Sequence, residues 1–333
     1  MNLPAAPFIS IVIPNHNGER TIGRCLAAAL ASSYPSFEVV VVDDCSSDGS
    51  VAIIEKHPCR LIRLSQHGGA SKARNTGARN SSAGLCFFID NDCLLQPDTL
   101  AKAAAAYRRE GGGTVIGGTY TLLPHDEQFF SIFQSVYIHY SETKNPQDPD
   151  YIATHAMLIA KEVFEKSGGF DEHFMPILED VEFCHRLKKE GVRLLMVPEI
   201  QVQHIFNFSL LSSMRNGFRK SRYWFAYSLK NRDLLADSGT ASLEFKFNVV
   251  SLFVVLLLVA VASLLQNWFF VLPALLLAGG NVYFNRGILQ AFYRARGTFF
   301  AIAAMLYYTL VYPVAVGIGA LSAIFSHQLK LRS

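Results

Sequence analysis

The sequence predicts an α/β domain with a mostly parallel sheet over residues 1–206, followed by C-terminal transmembrane α-helices. Three observations predict it. Short apolar, β-rich runs alternate with helical stretches between residues 8 and 205, the order that builds βαβ units. Polar clusters follow those runs at 15–17, 43–44 and 90–92, where such sheets gather ligands at their strand carboxyl ends. Charge also thins toward the C-terminus: all 27 acidic residues precede residue 247, and only five of the 30 Lys and Arg follow it.

The elements follow in order. Residues 8–14 (FISIVIP) make a buried strand, and 21–32 a helix. Residues 37–42 (FEVVVV) make a second strand, stopped by DDCSSDGS. A short helix over 51–57 precedes a third strand at 60–64. GGASKARNTGARNSSAG is rich in small residues and is expected to be helical in its middle. Residues 85–89 (LCFFI) form a fourth strand that ends at Asp90-Asn91-Asp92. VIGGTY is strand-like, 128–140 an aromatic helix, and a polar loop runs to residue 151. A strand at 156–159, a helix at 161–167, GGFDEHF, a helix at 179–189 and a strand at 193–197 lead to His204.

Residues 207–246 hold a basic amphipathic helix suited to an anionic membrane surface, then a linker. The alternative is an ordinary domain helix. Within 247–325, three runs lack charge: 247–265, 268–284 and 297–325. About 20 apolar residues span a bilayer as helix, whereas buried helices of soluble proteins seldom run this long without a charged face. The first two runs should form a hairpin across Gln266-Asn267. Pro313, Gly317 and Gly319 permit a tilted crossing or a kinked, re-entrant path for the third. Residues 326–333 are a short basic tail. Basic residues before the first run, and Arg286, Arg294 and Arg296 after the second, place both hairpin ends, and with them residues 1–206, in the cytoplasm of a bacterial inner membrane. No secretory signal is expected, and the six cysteines, without paired metal-ligand spacing, read as reduced thiols. A formal charge of +3 without a basic folded domain excludes a nucleic-acid binder.

Several residues are placed to do chemistry. Asp90 and Asp92 could hold Mg²⁺ or Mn²⁺ against a diphosphate, since these hard cations take oxygen ligands; a plain turn also favours Asp and Asn. Asp44 follows a buried strand and could accept from a base or ribose, or cap the next helix. Lys72, Arg74 and Asn75 could face phosphates or solvent. Glu179 and Asp180 open a helix, where an acid serves as general base or complements the helix dipole. His204 could complete a metal site or be structural.

Taken together, ISIVIPNHNGERTIGRCLAAAL, FEVVVVDDCSSDGS, GGASKARNTGARNSSAG, LCFFIDND, GGFDEHF and LEDVEFCHRLKKEGVRLLMVPEIQVQH resemble the family 2 inverting glycosyltransferases over about residues 8–206. The resemblance implies a GT-A fold, a Rossmann-like arrangement. It implies that Pro14, His16 and Asp44 bind the nucleotide base, that Arg74 and Asn75 lie along the donor site, and that Asp90 contacts the nucleotide sugar. Asp90, Asp92 and His204 would form the metal site for Mg²⁺ or Mn²⁺, and Asp180, with Glu179 beside it, the catalytic base. The donor is then a nucleotide-diphosphate sugar, a UDP-sugar first. His16 stands where Tyr is common. The Gln-x-x-Arg-Trp motif of processive synthases is missing at 219–224, which disfavours them. Polyprenyl-phosphate sugar synthases share the layout but usually lack an acid like Asp180, since a phosphate acceptor needs no deprotonation. The expected acceptor is therefore a hydroxyl of a lipid or lipid-linked glycan in cell-envelope polysaccharide synthesis. The runner-up is a polyprenyl-phosphate glycosyltransferase, and the non-enzymatic alternative a membrane scaffold with a degenerate domain.

Overall fold

The computed structural model describes residues 6–174 and 177–330, with side chains through residue 324. Contacts divide the chain into two compact units. The first takes in the chain up to Glu127 and Glu142–Asn207; the second takes in Gln128–Ser141 and the chain from Phe208 onward. The expected basic tail lies outside the described side chains.

The first unit holds β1 (Ile9–Asn15), β2 (Phe37–Asp43), β3 (Arg60–Arg63), β4 (Leu85–Phe88), β5 (Cys93–Leu95), β6 (Val115–Tyr120), β7 (Met157–Ala160) and β8 (Leu194–His204), in one sheet of order β3-β2-β1-β4-β7-β6-β8-β5. Strands β3, β2, β1 and β4 are parallel, as are β6 and β8. Strand β7 is antiparallel to both neighbours and β5 to β8. The fold is the expected α/β class with a mostly parallel sheet. Crossover helices α1 (Ile22–Leu30), α2 (Ser50–Ile54) and α3 (Gly69–Asn80) join the parallel strands, and α4 (Thr99–Glu110), α6 (Lys161–Lys166) and α7 (Glu179–Lys189) follow. Ile9, Ile11, Val12 and Ile13 are fully buried, which is why β1 reads as a continuous apolar run rather than an alternating one.

Two features go beyond the sequence reading. Strand β5 has no signal in the sequence, because a three-residue strand carries no periodicity, whereas helix α4 does carry one, with Leu100, Ala103, Ala104 and Tyr107 buried at helical spacing. Strand β8 does not stop at residue 197. Its pairing with β6 lapses between Gly117↔Met196 and Thr119↔Gln201, across Pro198, then resumes to His204. Proline has no N–H to donate, so the ladder steps over it. The added length brings His204 opposite Cys93 on β5.

The second unit is helical: α5 (Phe129–Glu142, whose last residue belongs to the first unit), α8 (Leu210–Asn231), α9 (Leu243–Leu264), α10 (Val271–Phe284), α11 (Arg286–Leu306), a π-helical turn Tyr307–Val311 and α12 (Tyr312–Lys330). Helix α5 belongs here because of its aromatic face. Phe133 stacks on Phe292 and meets Tyr307 edge-on, and Tyr137 packs on Phe245. Helix α8 packs along α12. Helix α9 (Leu243–Leu264) and the stretch Arg286–Ile324 are long and apolar enough to cross a membrane; Trp268–Phe284 is a shorter apolar helix. Gln266, in the left-handed region at φ 48°, turns the chain between α9 and α10, and Asn267 Oδ1 accepts from the Phe269 N–H (3.0 Å). Helix α11 kinks at Arg296-Gly297, where Gly297 has φ 75°.

The π turn solves a problem set by Pro313. In π geometry the N–H of residue i+5 meets the carbonyl of residue i, so position 313 is the natural partner of Tyr308 and cannot donate. Asn248 Nδ2 on α9 donates to that carbonyl instead, at 2.7 Å. Asn281 Nδ2 donates to Asn248 Oδ1 (2.8 Å), Asn285 Nδ2 to Asn281 Oδ1 (2.8 Å), and the Tyr308 hydroxyl to Asn285 Oδ1 (3.0 Å). All four residues are buried. Replacing Asn248 with Ala leaves the carbonyl and the Asn281 amide unsatisfied and should cost about 1–3 kcal/mol. Unfolding in detergent micelles measures this; unchanged stability would refute the role of the network.

Candidate active site

The site gathers at the carboxyl ends of β1, β2 and β4. Asn15 Nδ2 donates to Asp43 Oδ1 (2.9 Å) and Ser46 Oγ (3.1 Å), and Asn91 Nδ2 donates to Asn15 Oδ1 (2.8 Å). These amides lace three strand ends together, so Asn91 fixes the direction of the acids on either side of it. Asp44 is buried, and its two carboxylate oxygens accept the Gly68 and Gly69 N–H groups (2.8 and 2.7 Å) at the start of α3. Exposed His16 and His67 stand over it with ring centroids 4.6 Å apart. His67 Nδ1 lies 3.0 Å from Asp44 Oδ2 and His16 Nδ1 lies 2.7 Å from the Asp44 carbonyl. Pro14, half-buried, ends the same edge. His67 was not singled out in the sequence, because only folding the chain between β3 and α3 back over Asp44 gives it a role.

Arg74 is the hub. The small residues of α3 let that helix lie against the sheet with Ala73, Arg74, Asn75, Gly77 and Ala78 on its buried face. The Arg74 guanidinium donates to Asp90 Oδ1 at 2.7 Å and to Glu179 Oε1 at 2.5 Å. A charge this buried is stable only when paired. Burial lowers the Arg74 pKa, but the two carboxylates outweigh it and the pKa is raised. Burial likewise would lift Asp90, yet Arg74 holds its carboxyl below the usual range. The neighbouring Asn75 has a different task. Its amide donates to the Phe170 carbonyl (2.8 Å) and Glu172 Oε1 (2.9 Å), and its oxygen accepts the Phe170 N–H (2.9 Å). Buried and so engaged, Asn75 clamps the GGFDE loop.

Asp92 faces His204, with Oδ1 3.4 Å from Nε2. Burial raises the Asp92 carboxyl and Asp90 adds to the rise, while His204 opposes it. Cys93 joins them spatially, and ligand atoms of Asp92, Cys93 and His204 lie within 4.8 Å of one another. Burial pushes the Cys93 thiol well up, and its Sγ lies 3.7 Å from Asp92 Oδ1. A carboxylate and an imidazole side by side, both partly exposed, fit a divalent cation of the Mg²⁺ or Mn²⁺ type, whose charge would also relieve the crowding of Asp90 and Asp92. His204 is held by rings: it stacks on Phe206 (3.8 Å) and meets Tyr120 edge-on (5.0 Å). Tyr120 stacks on buried His155 (4.0 Å), whose Nε2 lies 3.4 Å from Glu142. Burial lowers the His155 pKa, but Glu142 more than offsets it. Nothing in the sequence marked Tyr120, Glu142 or His155, which come from three separate elements.

Glu179 and Asp180 begin α7 after Leu178, a non-glycine residue in the left-handed region at φ 74°. Such a conformation persists only where its surroundings hold it, and here it aims the first helical turn. Asp180 accepts the Val181 N–H (2.9 Å) and the Thr154 N–H (3.4 Å). Burial first, then the Glu179 charge, push its carboxyl up to about 6, against the opposing pull of Arg74.

A parallel-rich sheet with paired acids at its strand ends and a second acid pair opening a later helix makes a fold of the GT-A type. Residues 10–168 match the family model described as "Glycosyl transferase family 2". The chain is 36% identical over 103 residues to the poly(ribitol-phosphate) beta-N-acetylglucosaminyltransferase TarS of Staphylococcus aureus, covering 29% of this chain and 18% of that protein. It is 26% identical over 204 residues to glycosyltransferase AglE of Haloferax volcanii, covering 58% of this chain and 66% of that protein. The chain thus spans less than two thirds of these relatives. The fold is shared with a solved structure, the mannosyltransferase PcManGT from Pyrobaculum calidifontis in complex with GDP-Man and Mn²⁺, at a TM-score of 0.59 and 16% identity over 96% of this chain and 88% of that one.

Arg74→Met should leave Asp90 and Glu179 without their shared cation and cost about 3 kcal/mol or more, the penalty for breaking a buried pair from one side. Thermal unfolding of the purified variant measures it; a stability within error of the parent would show that the bridge carries no load.

Proposed function

We propose that the chain is a membrane-bound, inverting, metal-dependent glycosyltransferase. It moves a sugar from a nucleotide-diphosphate sugar to a hydroxyl of a lipid or lipid-linked glycan at the cytoplasmic membrane face. The Arg74 bridge carries the reading, because it sets the strand-end acids and the α7 acids around one guanidinium. The PcManGT structure, described with GDP-Man and Mn²⁺, supports a nucleotide-sugar donor and a metal. Exposed apolar side chains on α9 and α10, among them Leu257, Leu264, Leu272 and Leu276, support a membrane. The basic flanks of the hairpin support the cytoplasmic orientation.

In this reading Pro14, His16 and Asp44 hold the base, and Asn75 positions the loop that closes the donor side. Asp90, Asp92 and His204 would hold Mg²⁺ or Mn²⁺, which when bound offsets charge on the departing nucleoside diphosphate. Arg74 fixes Asp90 in its ionised form. Glu179 is held by Arg74, which makes Asp180 the base. Asp180 accepts the hydroxyl proton as the acceptor oxygen bonds to the anomeric carbon and the bond from that carbon to the diphosphate oxygen breaks. Attack opposite the leaving group inverts the centre.

Asp180→Asn keeps the shape and removes the basicity, so turnover should fall roughly 10²–10⁴-fold. Asp180 must be ionised to accept a proton, and its pKa lies at about 6. Activity of the parent should therefore rise with pH through that value and level off above it, and the Asn variant should lose this limb. Near-normal turnover by the variant, with a polyprenyl-phosphate sugar as product, would transfer the assignment to the lipid-phosphate class. Separately, EDTA or Asp92→Ala should abolish transfer while circular dichroism stays unchanged; full activity in EDTA would end the metal assignment.

A further inference from the structure

Apart from Asp92 and its neighbours, a second set of metal-ligand atoms gathers in the first unit. His16, Asp44 and His67 each offer one atom, and the three lie within 4.8 Å of one another. Asp44 is buried, and both imidazoles are exposed. Each member is held in place. The Gly68 and Gly69 N–H groups fix the carboxylate at 2.8 and 2.7 Å. The Asp44 carbonyl only accepts, so His16 Nδ1, 2.7 Å from it, carries a proton. Asn17 Oδ1 accepts the Ser47 N–H (2.8 Å), which turns the Asn17 Nδ2 donor toward His16 Nε2 at 3.1 Å. That Nε2 therefore accepts, and holds a lone pair. His67 Nδ1 faces Asp44 Oδ2 at 3.0 Å with a proton between them. Asn17 and Cys45, next in the chain to His16 and Asp44, lie in the left-handed region at φ 51° and 59°, a conformation that persists only where its surroundings hold it.

These ligands select their own cation. Mg²⁺ prefers oxygen ligands, whereas imidazole suits zinc, copper and nickel. Zinc takes nitrogen and oxygen at about 2.0–2.2 Å in a tetrahedron, so its neighbouring ligand atoms lie roughly 3.3 Å apart. The 3.0 Å between His67 Nδ1 and Asp44 Oδ2 is close to that edge. A zinc ion in place of the intervening proton, which moves to His67 Nε2, binds both atoms. His16 Nε2 then exchanges its hydrogen bond from Asn17 for the metal. The Gly68 and Gly69 N–H groups supply the outer support that orients a metal-bound carboxylate. The Cys45 thiol is turned elsewhere, toward the Leu64 carbonyl at 3.2 Å. We infer that His16, Asp44 and His67 form a second cation site, for a metal of the zinc class, and that filling it bars the nucleotide base from Asp44. The site stands on this geometry alone, and the exclusion rests on the base-binding reading above. Zinc then competes with the donor and not with Mg²⁺ or Mn²⁺ at Asp90, Asp92 and His204.

The test uses the full chain in detergent micelles, free of any polyhistidine tag, with Zn²⁺ and Co²⁺ as probes. Titrations are run with excess Mg²⁺ and in an Asp92→Ala background, which weakens the strand-end site. Competition with a chromogenic chelator should show zinc held by the chain, and Co²⁺ should give the visible bands of a four-coordinate site. His16→Gln with His67→Gln should weaken zinc at least about tenfold and remove the cobalt bands. Both positions are exposed, so circular dichroism should not change; His67→Gln alone should already weaken zinc. Zinc held equally with and without the two histidines, or not held at all, overturns the site. The exclusion is read in the chain with Asp92 intact, from Mn²⁺-supported hydrolysis of UDP-N-acetylglucosamine and GDP-mannose. Zinc should raise the donor KM and leave kcat unchanged, and His67→Gln should blunt that rise. A fall in kcat at constant KM overturns the exclusion. Absence of hydrolysis with both donors counts against the transferase reading, and the zinc titrations still decide the site.

Discussion

The buried guanidinium of Arg74, shared between Asp90 and Glu179, is the interaction on which the rest of the site depends. It joins two regions 105 residues apart in the chain, the α3 turn that carries it and the start of α7. A planar fork can bond two carboxylates at once, which an ammonium on a flexible stem cannot do with the same geometry. The small residues of α3 are the precondition, since they let the helix approach the sheet closely enough for a long side chain to be buried along its own base. The Asn75 clamp on Phe170 and Glu172 then fixes the loop that precedes α7. One helix face thus orients both acid pairs.

From this arrangement follow the different states of three nearby aspartates. All are partly buried, which by itself favours the neutral form. Asp90 has Arg74 against it and is lowered; Asp92 has Asp90 as a like-charged neighbour and is raised despite His204; Asp180 is raised by burial and Glu179. Acids pushed apart in this way are suited to different roles, one permanently ionised and another poised to take a proton near neutrality. The aromatic stack of Phe206, His204, Tyr120 and His155 adds rigidity, because an imidazole pinned between rings cannot swing away from Asp92.

In the helical unit the ordering principle is the reverse: apolar surfaces are plentiful and direct nothing, so polar groups set the geometry. Pro313 removes one N–H, the π turn presents the resulting carbonyl to α9, and Asn248, Asn281 and Asn285 pass the hydrogen bonding on to Tyr308. Such contacts fix which helix faces meet, since dispersion alone discriminates poorly between faces. Glycines at 217 and 317 do the complementary work by allowing rings to lie close to backbone.

The sequence by itself determined the α/β class, the order of most strands and crossover helices, and the apolar helical C-terminal stretch, because those depend on local periodicity and on charge composition. It also marked Asp44, Asp90, Asp92, Glu179, Asp180 and His204 as residues at element ends, where polar groups collect. Tertiary structure alone decided what each of them meets. Strand β8 had to step over Pro198 before His204 could stand beside Asp92. Arg74 and Asn75, adjacent and similar in the sequence reading, point to different tasks because a helix turns neighbouring side chains by about 100°. His67, Tyr120, Glu142 and His155 had no local signal, since their roles consist entirely of contacts with distant strands and helices. Helix α5, embedded in sequence within the first unit, packs in the second because its aromatic rings match Phe292 and Tyr307. Periodicity is a property of neighbours along the chain, whereas a site is a property of neighbours in space, and only closure of the sheet and packing of the helices turn one into the other.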